Sequence, residues 1–273
     1  MEWISRLKND RIALVCLGFL TMIFVAGVFA PIIAPNDPLE IHPKEKFAEM
    51  SLTFPLGTDH LGRCIFSRLL YGIRTTVFLS CLTMVITIAI GTVFGLIAST
   101  FRKKVDAWMM RMCDVFLSFP SEVLVFAIVG MMGPNIVHAM IANVVARFAW
   151  YTRMIRSIVL TYREKEYVQF AKASGASTFH IVKKHLIPNA LGEIIVLATL
   201  NTGSVILTLS ALSFLGLGVQ APTPEWGLML NEAKNVLFVR PEQMLAPGLA
   251  ILLVVCAFQY LGDFFQRSFN KRR

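Results

Sequence analysis

Two charged side chains stand inside otherwise apolar stretches of the sequence, Glu122 and Arg147. Charges are costly within a long apolar stretch, so both residues are candidates for contact with a solute. Two other interpretations stay open. The two side chains could pair with each other across adjacent helices, or Arg147 could extend its long side chain to a nearby water interface.

A histidine and two methionines follow Glu122 in the chain. His138 offers an imidazole, which is a common ligand of nickel, but it has no His, Cys or Glu partner nearby, which favours an interfacial residue. Met131 and Met132 offer thioether sulfur, which favours softer ions than nickel, so we expect them to pack. The sequence therefore leaves a metal site undefined.

One stretch, Gly57 to Cys64, has the glycine spacing of a phosphate-binding loop. It lacks the Lys and the Ser or Thr that would hold phosphate and magnesium, and the chain has no GxSxG or HExxH hydrolase motif. The five cysteines show no CxxC spacing. We therefore predict a chain that is not an enzyme, binds no cofactor and uses an external energy source.

The elements that must position these residues are membrane helices. Of the 273 residues, 56% are hydrophobic and 16% charged, which is typical of an integral membrane protein. A helix needs about 20 apolar residues to span the hydrocarbon core. The sequence predicts six spans, the third and fourth forming a hairpin: residues 12–34, 76–100, 115–133, 136–150, 194–219 and 244–262.

The first predicted span could instead be a cleaved secretory signal, because basic residues precede it and Val28-Phe29-Ala30 loosely resembles a cleavage site. Its apolar stretch is longer than the roughly 7–15 residues of a signal, which favours a retained span. In that case residues 1–11 form the amino terminus, and residues 35–75 and 220–243 form two segments on the far side of the membrane.

Lysine and arginine predict the orientation. Of 26, eighteen fall on the side of the termini and seven on the opposite side, while Arg147 lies within a span. Because basic residues accumulate on the cytoplasmic side, we expect both termini, including the basic tail 266–273, to be cytoplasmic. The net charge of +9 is spread between apolar stretches and forms no single stripe, which argues against nucleic-acid binding.

Between the fourth and fifth spans, residues 163–188 are too long for a simple turn and are patterned as two short helices. The first would carry a weakly apolar face, formed by Tyr167, Phe170, Ala171 and Ser174. Gly175 could end it by adopting a positive φ, and Ser177 or Thr178 could cap the second helix.

The second short helix would place Phe179, Val182 and Leu186 on one face, and Pro188 would end the unit. Such a projecting pair of helices is typical of a docking element for a partner protein. The alternative is a folded linker that covers the chain's own helix bundle.

This segment resembles the EAA loop of permease subunits of ATP-binding-cassette (ABC) importers. The stretch from Glu166 to Gly175, followed thirteen residues later by Pro188, has the spacing of that loop. Gln169 and Phe170 stand where the loop has Glu and Ala, whereas Ala171, Gly175 and Pro188 match. The resemblance implies that residues 163–188, here called the coupling unit, seat in a groove of ATPase subunits.

Two further segments resemble signatures of the dipeptide, oligopeptide and nickel permease group, most closely its nickel-type C subunits. Both belong to the predicted far side of the membrane, and we call their key residues the outer signature: Gly57, Thr58, Asp59, Gly62, Arg63, Pro222, Glu225, Trp226 and Gly227. Cys64 departs from the Asp that usually follows Gly-Arg, so any role of that acid does not carry over.

The resemblance implies an all-α integral membrane protein with six spans, the fold of a type I ABC importer permease in a bacterial cytoplasmic membrane. It implies a second homologous permease, two ATPase subunits that bind ATP and magnesium, and an external substrate-binding protein. The cargo would be nickel or a nickel chelate, or alternatively a dipeptide or oligopeptide. A self-sufficient secondary transporter is a remote alternative, because duplicated halves are not evident.

Overall fold

The computed structural model describes residues 7, 10–101 and 103–270, and these are mostly helical. Within these ranges no strand forms, and a single antiparallel bridge joins Thr58 to Cys64. Some predicted cytoplasmic basic residues lie outside the described residues: Arg6, Lys8, Arg102, Lys271, Arg272 and Arg273.

The helices of the described part of the chain follow one another with short connections. In chain order they are α1 (Arg11–Val28), α2 (Ala30–Ile33), α3 (Ile65–Ile73), α4 (Leu79–Thr100), α5 (Lys103–Leu117), α6 (Ser121–Met132), α7 (Ile136–Arg163), α8 (Glu166–Ala173), α9 (Thr178–Ile181), α10 (Ile187–Phe214), α11 (Trp226–Lys234) and α12 (Leu245–Asn270). Short π-helical turns join α3 to α4 at Arg74–Phe78 and α9 to α10 at Val182–Leu186.

Four continuous helical stretches in the described ranges are long and apolar enough to cross a membrane. They are Arg11–Val28, Ile65–Thr100, Thr178–Phe214 and Pro241–Ser268, and each contains most of one predicted span. Several hydroxyl groups within them bond to the preceding helical turn, as when Thr87 donates to the Thr83 carbonyl at 2.7 Å. The chain is therefore an all-helical, multi-pass membrane protein.

The third predicted span, residues 115–133, is wrong as a single helix. The chain breaks between Leu117 and Ser121, and α5 and α6 are bent by 79°. Pro120 is the cause, because its ring disfavours helical geometry at Phe119 and it lacks the N–H that would continue the helix. Counted as one broken span, α5 and α6 would add a fifth crossing to the four.

The fourth predicted span, residues 136–150, lies at the start of the 28-residue helix α7. Asn135 begins the helix by accepting a hydrogen bond from the Val137 N–H at 2.8 Å. Arg147 and Arg153 make α7 less apolar than the four long stretches, so its membrane crossing stays a prediction. α7 packs along α4, where Gly91 and Gly95 bring the two backbones together.

The prediction that Pro188 ends the coupling unit is also wrong. Pro188 lies in the first turn of α10, and helix continues through it from Thr178 to Phe214. The preceding π-helical turn explains this, because the Ile187 N–H bonds to the Val182 carbonyl in a wider loop and the regular hydrogen-bond ladder is already interrupted where the proline enters. The second short helix is thus the beginning of the fifth predicted span.

The second predicted span, residues 76–100, belongs to a helix that already begins at Ile65. Arg74 lies at the π-helical turn and donates from Nε to the Gly27 carbonyl and from Nη2 to the Val28 carbonyl, both at 2.7 Å. These carbonyls belong to the last turn of α1, where they have no hydrogen-bond donor within the helix. Arg74 therefore fixes the first span against the second.

Candidate functional site

The coupling unit has the predicted helix-turn-helix form at its centre. Gly175 has a φ of +80°, which is accessible to glycine without strain, and the Ala176 N–H donates to the Ala171 carbonyl at 3.0 Å, so that α8 ends as predicted. The Ser177 hydroxyl caps α9 by accepting from the His180 N–H at 3.3 Å. The turn therefore holds α8 against the start of the long helix.

Apolar residues of the coupling unit divide between two directions. Val168 and Leu186 are buried at 0% and 1% exposure in the chain's own core, and Ala171 and Val182 pack against that core. Phe170 and Phe179 are instead 76% and 74% exposed. Each face predicted from sequence therefore contains both exposed and core-packed residues. Leu186 is buried in the chain's own bundle and cannot contact a partner.

The polar residues of the coupling unit lie on its surface. Gln169, which departs from the family pattern, donates from Nε2 to the Arg163 carbonyl at 3.1 Å. This bond ties the first turn of α8 to the end of α7, whose last carbonyls lack helical partners. Glu166 is exposed in that same turn, where a carboxylate is favourable near a helix amino terminus.

Arg147 lies between α6, α7 and α10 with its side chain only 14% exposed. Its Nη1 donates to the Ser204 hydroxyl and its Nη2 to the Thr208 hydroxyl, both at 2.9 Å. The Glu122 carboxylate, at the start of α6, approaches Nη2 at 3.6 Å and is 62% exposed. The structure thus brings Glu122 and Arg147 together and holds the guanidinium in a helix interface.

His138 bonds within the hairpin turn. Its Nδ1 lies 2.9 Å from the Gly133 carbonyl oxygen, which joins the first turn of α7 to the end of α6. Among the residues that the structure describes, no group of three or more His, Cys, Asp or Glu side chains could hold a metal ion. The geometry therefore gives His138 a structural contact.

The first half of the outer signature surrounds a buried network of four charges. Arg63 donates to Asp59 at 2.7 Å and to Glu232 at 2.8 Å, and Arg68 contacts the same two carboxylates at 2.6 and 2.7 Å. Both arginine side chains are at most 3% exposed. The two positive and two negative charges offset the desolvation cost of burying one another. Their contacts connect the outer segment to α11.

Glycines form the tight turn that carries this network. Gly57 and Gly62 have φ values of +73° and +81°. A Cβ atom on Gly62 would lie 1.9 Å from the His42 carbonyl oxygen, so no other residue fits there. The Thr58 hydroxyl accepts from the Ala48 N–H at 2.8 Å and holds the turn against the preceding loop.

The second half of the outer signature is built on Glu225, which is 2% exposed. Its Oε2 accepts from the Leu228 N–H at 2.7 Å and begins α11, while its Oε1 accepts from the Thr76 hydroxyl at 3.0 Å. Trp226 donates from Nε1 to the Leu69 carbonyl at 3.0 Å. These bonds fasten α11 to the helix Ile65–Thr100.

Gly227 and Pro222 allow α11 to pack closely against its neighbours. Gly227 lies so close to α10 that a Cβ atom there would meet the Ser210 carbonyl oxygen at 2.1 Å. Pro222 follows a cis peptide bond after Ala221 in the turn that leads to α11. Both halves of the outer signature therefore have structural contacts that position α11.

The carboxyl groups of Asp59 and Glu225 should respond to pH in opposite ways. Burial opposes ionisation of Asp59, but Arg63 and Arg68 outweigh it and lower its pKa below the ordinary value of 3.8. Burial raises the pKa of Glu225 above 4.5, although backbone N–H groups partly oppose this. Asp59 thus stabilises the fold above pH 3.8 and loses that effect as pH falls through its lowered pKa, whereas Glu225 stabilises below pH 4.5 and loses that effect as pH rises.

We therefore expect the wild-type chain to lose free energy of unfolding relative to Glu225→Gln as the pH rises above 4.5, the ordinary pKa of a glutamate, through the raised pKa of Glu225. Over the same range its difference from Asp59→Asn should stay constant, because Asp59 remains ionised. Thermal unfolding of the full chain in detergent across this pH range measures both differences. A difference from Glu225→Gln that does not change with pH would contradict the prediction.

Sequence reasoning missed Arg68, Glu232 and Arg74. Arg68 stands nine residues after Asp59 and was counted only as a basic residue of the predicted outer side. Glu232 is 169 residues from Arg63, and no spacing rule links them. A signal existed for Arg74, since it is the last basic residue before an uncharged span, where an arginine can bond to the end of a neighbouring helix.

The long apolar helices define a multi-pass membrane protein, and the exposed phenylalanines of the coupling unit and the buried guanidinium of Arg147 are its candidate functional groups. Residues 91–273 match the family model for the binding-protein-dependent transport system inner membrane component, and residues 2–50 match the model for the N-terminal TM domain of oligopeptide transport permease C. The chain belongs to this family of transport-system membrane components and is a permease subunit of an ABC importer.

Several curated proteins are similar over nearly the whole chain. The metal-staphylopine import system permease protein CntC of Staphylococcus aureus is 40% identical, over 98% of this chain and 93% of that protein. The nickel transport system permease protein NikC of Escherichia coli is 38% identical, over 96% of this chain and 93% of that protein. The dipeptide transport system permease protein DppC of Alkalihalophilus pseudofirmus is 37% identical, over 96% and 86% respectively.

A solved structure of the inward-facing methionine ABC transporter MetNI shares the fold. The TM-score is 0.58 at 17% identity, over 75% of this chain and 97% of that one. This likeness confirms the predicted fold of a type I ABC importer permease. Family membership also implies ATPase and substrate-binding partner subunits for a non-catalytic membrane component.

Proposed function

We propose that this chain forms half of the translocation pathway of an importer for nickel or a nickel chelate. It pairs with a second homologous permease, contacts two ATPase subunits that bind ATP and magnesium, and receives cargo from an extracytoplasmic binding protein. Both termini and the coupling unit face the cytoplasm of a bacterium, an orientation supported by the excess of Lys and Arg on that side.

The exposed pair Phe170 and Phe179 supports the coupling role. Large aromatic side chains that are about three-quarters exposed in the isolated chain are suited to pockets of a partner, because their burial there contributes most of an interface's affinity. The long helix that begins at Thr178 connects this contact with the residues around Arg147. The coupling unit therefore transmits closure of the ATPases to the pathway.

Arg147 is the observation that carries the cargo proposal. A guanidinium with two donors already held by Ser204 and Thr208 is fixed in place, and carboxylates are its preferred partners. Metal chelates and peptides both carry carboxylates. The relatives named for metal-staphylopine and nickel import favour the chelate, and the relative named for dipeptide import makes a peptide the second candidate.

Uptake by cells that lack this chain and by cells given it back tests the proposal. Radiolabelled nickel, supplied with and without a carboxylate-bearing chelator, is compared with a labelled dipeptide. Restored nickel uptake supports the chelate, dipeptide uptake alone supports the second candidate, and restoration of neither contradicts both.

Arg147→Gln should lower uptake of the restored cargo by at least about tenfold, because one charge-assisted hydrogen bond contributes about 1.5–3 kcal/mol. Arg153→Gln removes an equal charge from a more exposed position on the same helix and should leave uptake within about twofold, since exposed ion pairs contribute little. Both variants need normal amounts of chain in the membrane. Equal uptake by the Arg147→Gln and Arg153→Gln variants would contradict a role for Arg147 in the pathway.

A further inference from the structure

A cavity of about 520 Å³ opens beside the amino-terminal end of α12. Its walls come from the loop before α3 and from the first two turns of α12, and they are largely apolar: Phe47, Met50, Leu56, Ile65, Leu245 and Leu249. This volume lies in the range of cavities that hold small organic ligands. None of the pathway candidates or coupling residues lines it.

The chain itself fixes the shape of this cavity. Gln243 donates from Nε2 to the Thr58 carbonyl at 3.0 Å and joins the two walls. Thr58 and Gly57 line the cavity and belong to the tight turn held by the outer signature. The cavity is therefore preformed, which lowers the entropic cost of filling it.

One wall continues into a surface that faces away from the rest of the chain. Leu245, Leu249, Leu252 and Leu253 are 51–60% exposed and recur on one face of α12, which is a membrane-crossing helix by length and composition. An exposed leucine face on such a helix is suited to acyl chains. The cavity thus forms the end of this apolar face, close to where the helix enters the membrane.

The mouth of the cavity carries charges of both signs. Glu49, Arg240 and Glu242 line it, and the Arg240 side chain pairs with Glu242 only loosely, at 3.5 Å and with both side chains about half exposed. An arginine suits a phosphate group, and carboxylates suit an ammonium group. Because two acids accompany one base, a headgroup with net negative charge is disfavoured there.

We propose that this cavity is a binding site for a zwitterionic phospholipid of the leaflet opposite the coupling unit. One acyl chain enters between Phe47 and Leu249, the phosphate contacts Arg240, and the ammonium group contacts Glu49 or Glu242. The bound lipid joins the loop before α3 to the terminal membrane helix and supports the turn that carries the outer signature.

Photolabelling of the full chain in lipid nanodiscs tests this site. Nanodiscs of phosphatidylglycerol receive either a photoactivatable phosphatidylethanolamine or the matching phosphatidylglycerol, and the labelled peptides are mapped. We expect the phosphatidylethanolamine probe to label residues 47–58 and 240–249 about tenfold more than the anionic probe, the ratio expected for one charge-assisted contact. The variant Glu49→Gln with Glu242→Gln should remove that preference.

Variants of α12 separate the cavity from general lipid contact. Ala246→Trp fills the cavity and should lower this labelling by about tenfold, whereas Leu252→Trp, on the exposed face but outside the cavity, should not change it. The exposed variant Arg240→Gln gives the same test without a bulky core substitution. Labelling by both probes to the same extent, or labelling that neither Ala246→Trp nor Arg240→Gln reduces, would overturn the proposal.

Discussion

Replacing Phe170 and Phe179 together by alanine should lower ATP-driven uptake by at least about tenfold while leaving the amount of chain in the membrane unchanged. Both side chains are more than 70% exposed, so their truncation removes little packing within the chain. In an interface, a buried aromatic anchor typically contributes about 2 kcal/mol or more. The expected loss therefore arises from weakened docking of the ATPase subunits.

The matched control is Phe101→Ala, a phenylalanine that is 60% exposed at the same end of the bundle but outside the coupling unit. Its uptake should stay within about twofold of the wild type, as most surface truncations cost little. Co-purification of the ATPase subunits with each variant separates docking from transport. An equal loss of uptake in both variants, or full uptake in the double variant, would exclude the coupling unit as the ATPase contact.

Arg68→Met should destabilise the chain by about 3–5 kcal/mol, because it leaves the carboxylates of Asp59 and Glu232 buried with only Arg63 to compensate them. Arg68 is 1% exposed and contacts both carboxylates within 2.7 Å. The effect should appear as a lower thermal unfolding midpoint in detergent and as less chain in the membrane.

Asp114→Asn provides the control for charge removal at an exposed pair. Asp114 pairs with Arg153 where the two side chains are 56% and 41% exposed, so the expected cost is at most about 1 kcal/mol. The double variant Arg68→Met with Glu232→Gln leaves Arg63 paired with Asp59, restores the balance of charge and should recover part of the stability. A loss from Arg68→Met no larger than that from Asp114→Asn would show that the network contributes little.

Local patterns were enough to predict much of this fold. Long apolar stretches located the four strongest membrane helices, and Gly175 with Ser177 predicted the turn of the coupling unit, because each effect involves neighbours in sequence. The broken third span shows the limit of hydropathy: the average over residues 115–133 stays apolar across Pro120, although the backbone there cannot continue as one helix.

Contacts between distant residues could not be predicted in the same way. Apolar spacing alone does not say whether a face meets a partner or the chain's own core, so Leu186 and Phe179 were placed together although only Phe179 is exposed. The contact between Glu122 and Arg147 depends on the positions of α6, α7 and α10, which the sequence does not give. Glu232 joined the outer charge network only through the fold.

The unbroken helix from Thr178 to Phe214 has a consequence for the kind of motion that can reach Arg147. Ser204 lies about 38 Å from Phe179 along the helix axis, and Thr208 lies one helical turn farther. Twisting of this helix would carry both hydroxyls away from the guanidinium at once. Sliding by one turn, about 5.4 Å, would instead bring Thr208 close to the former position of Ser204 and keep one bond. Whether one or neither of these two hydrogen bonds persists therefore distinguishes translation of the helix along its axis from rotation about that axis.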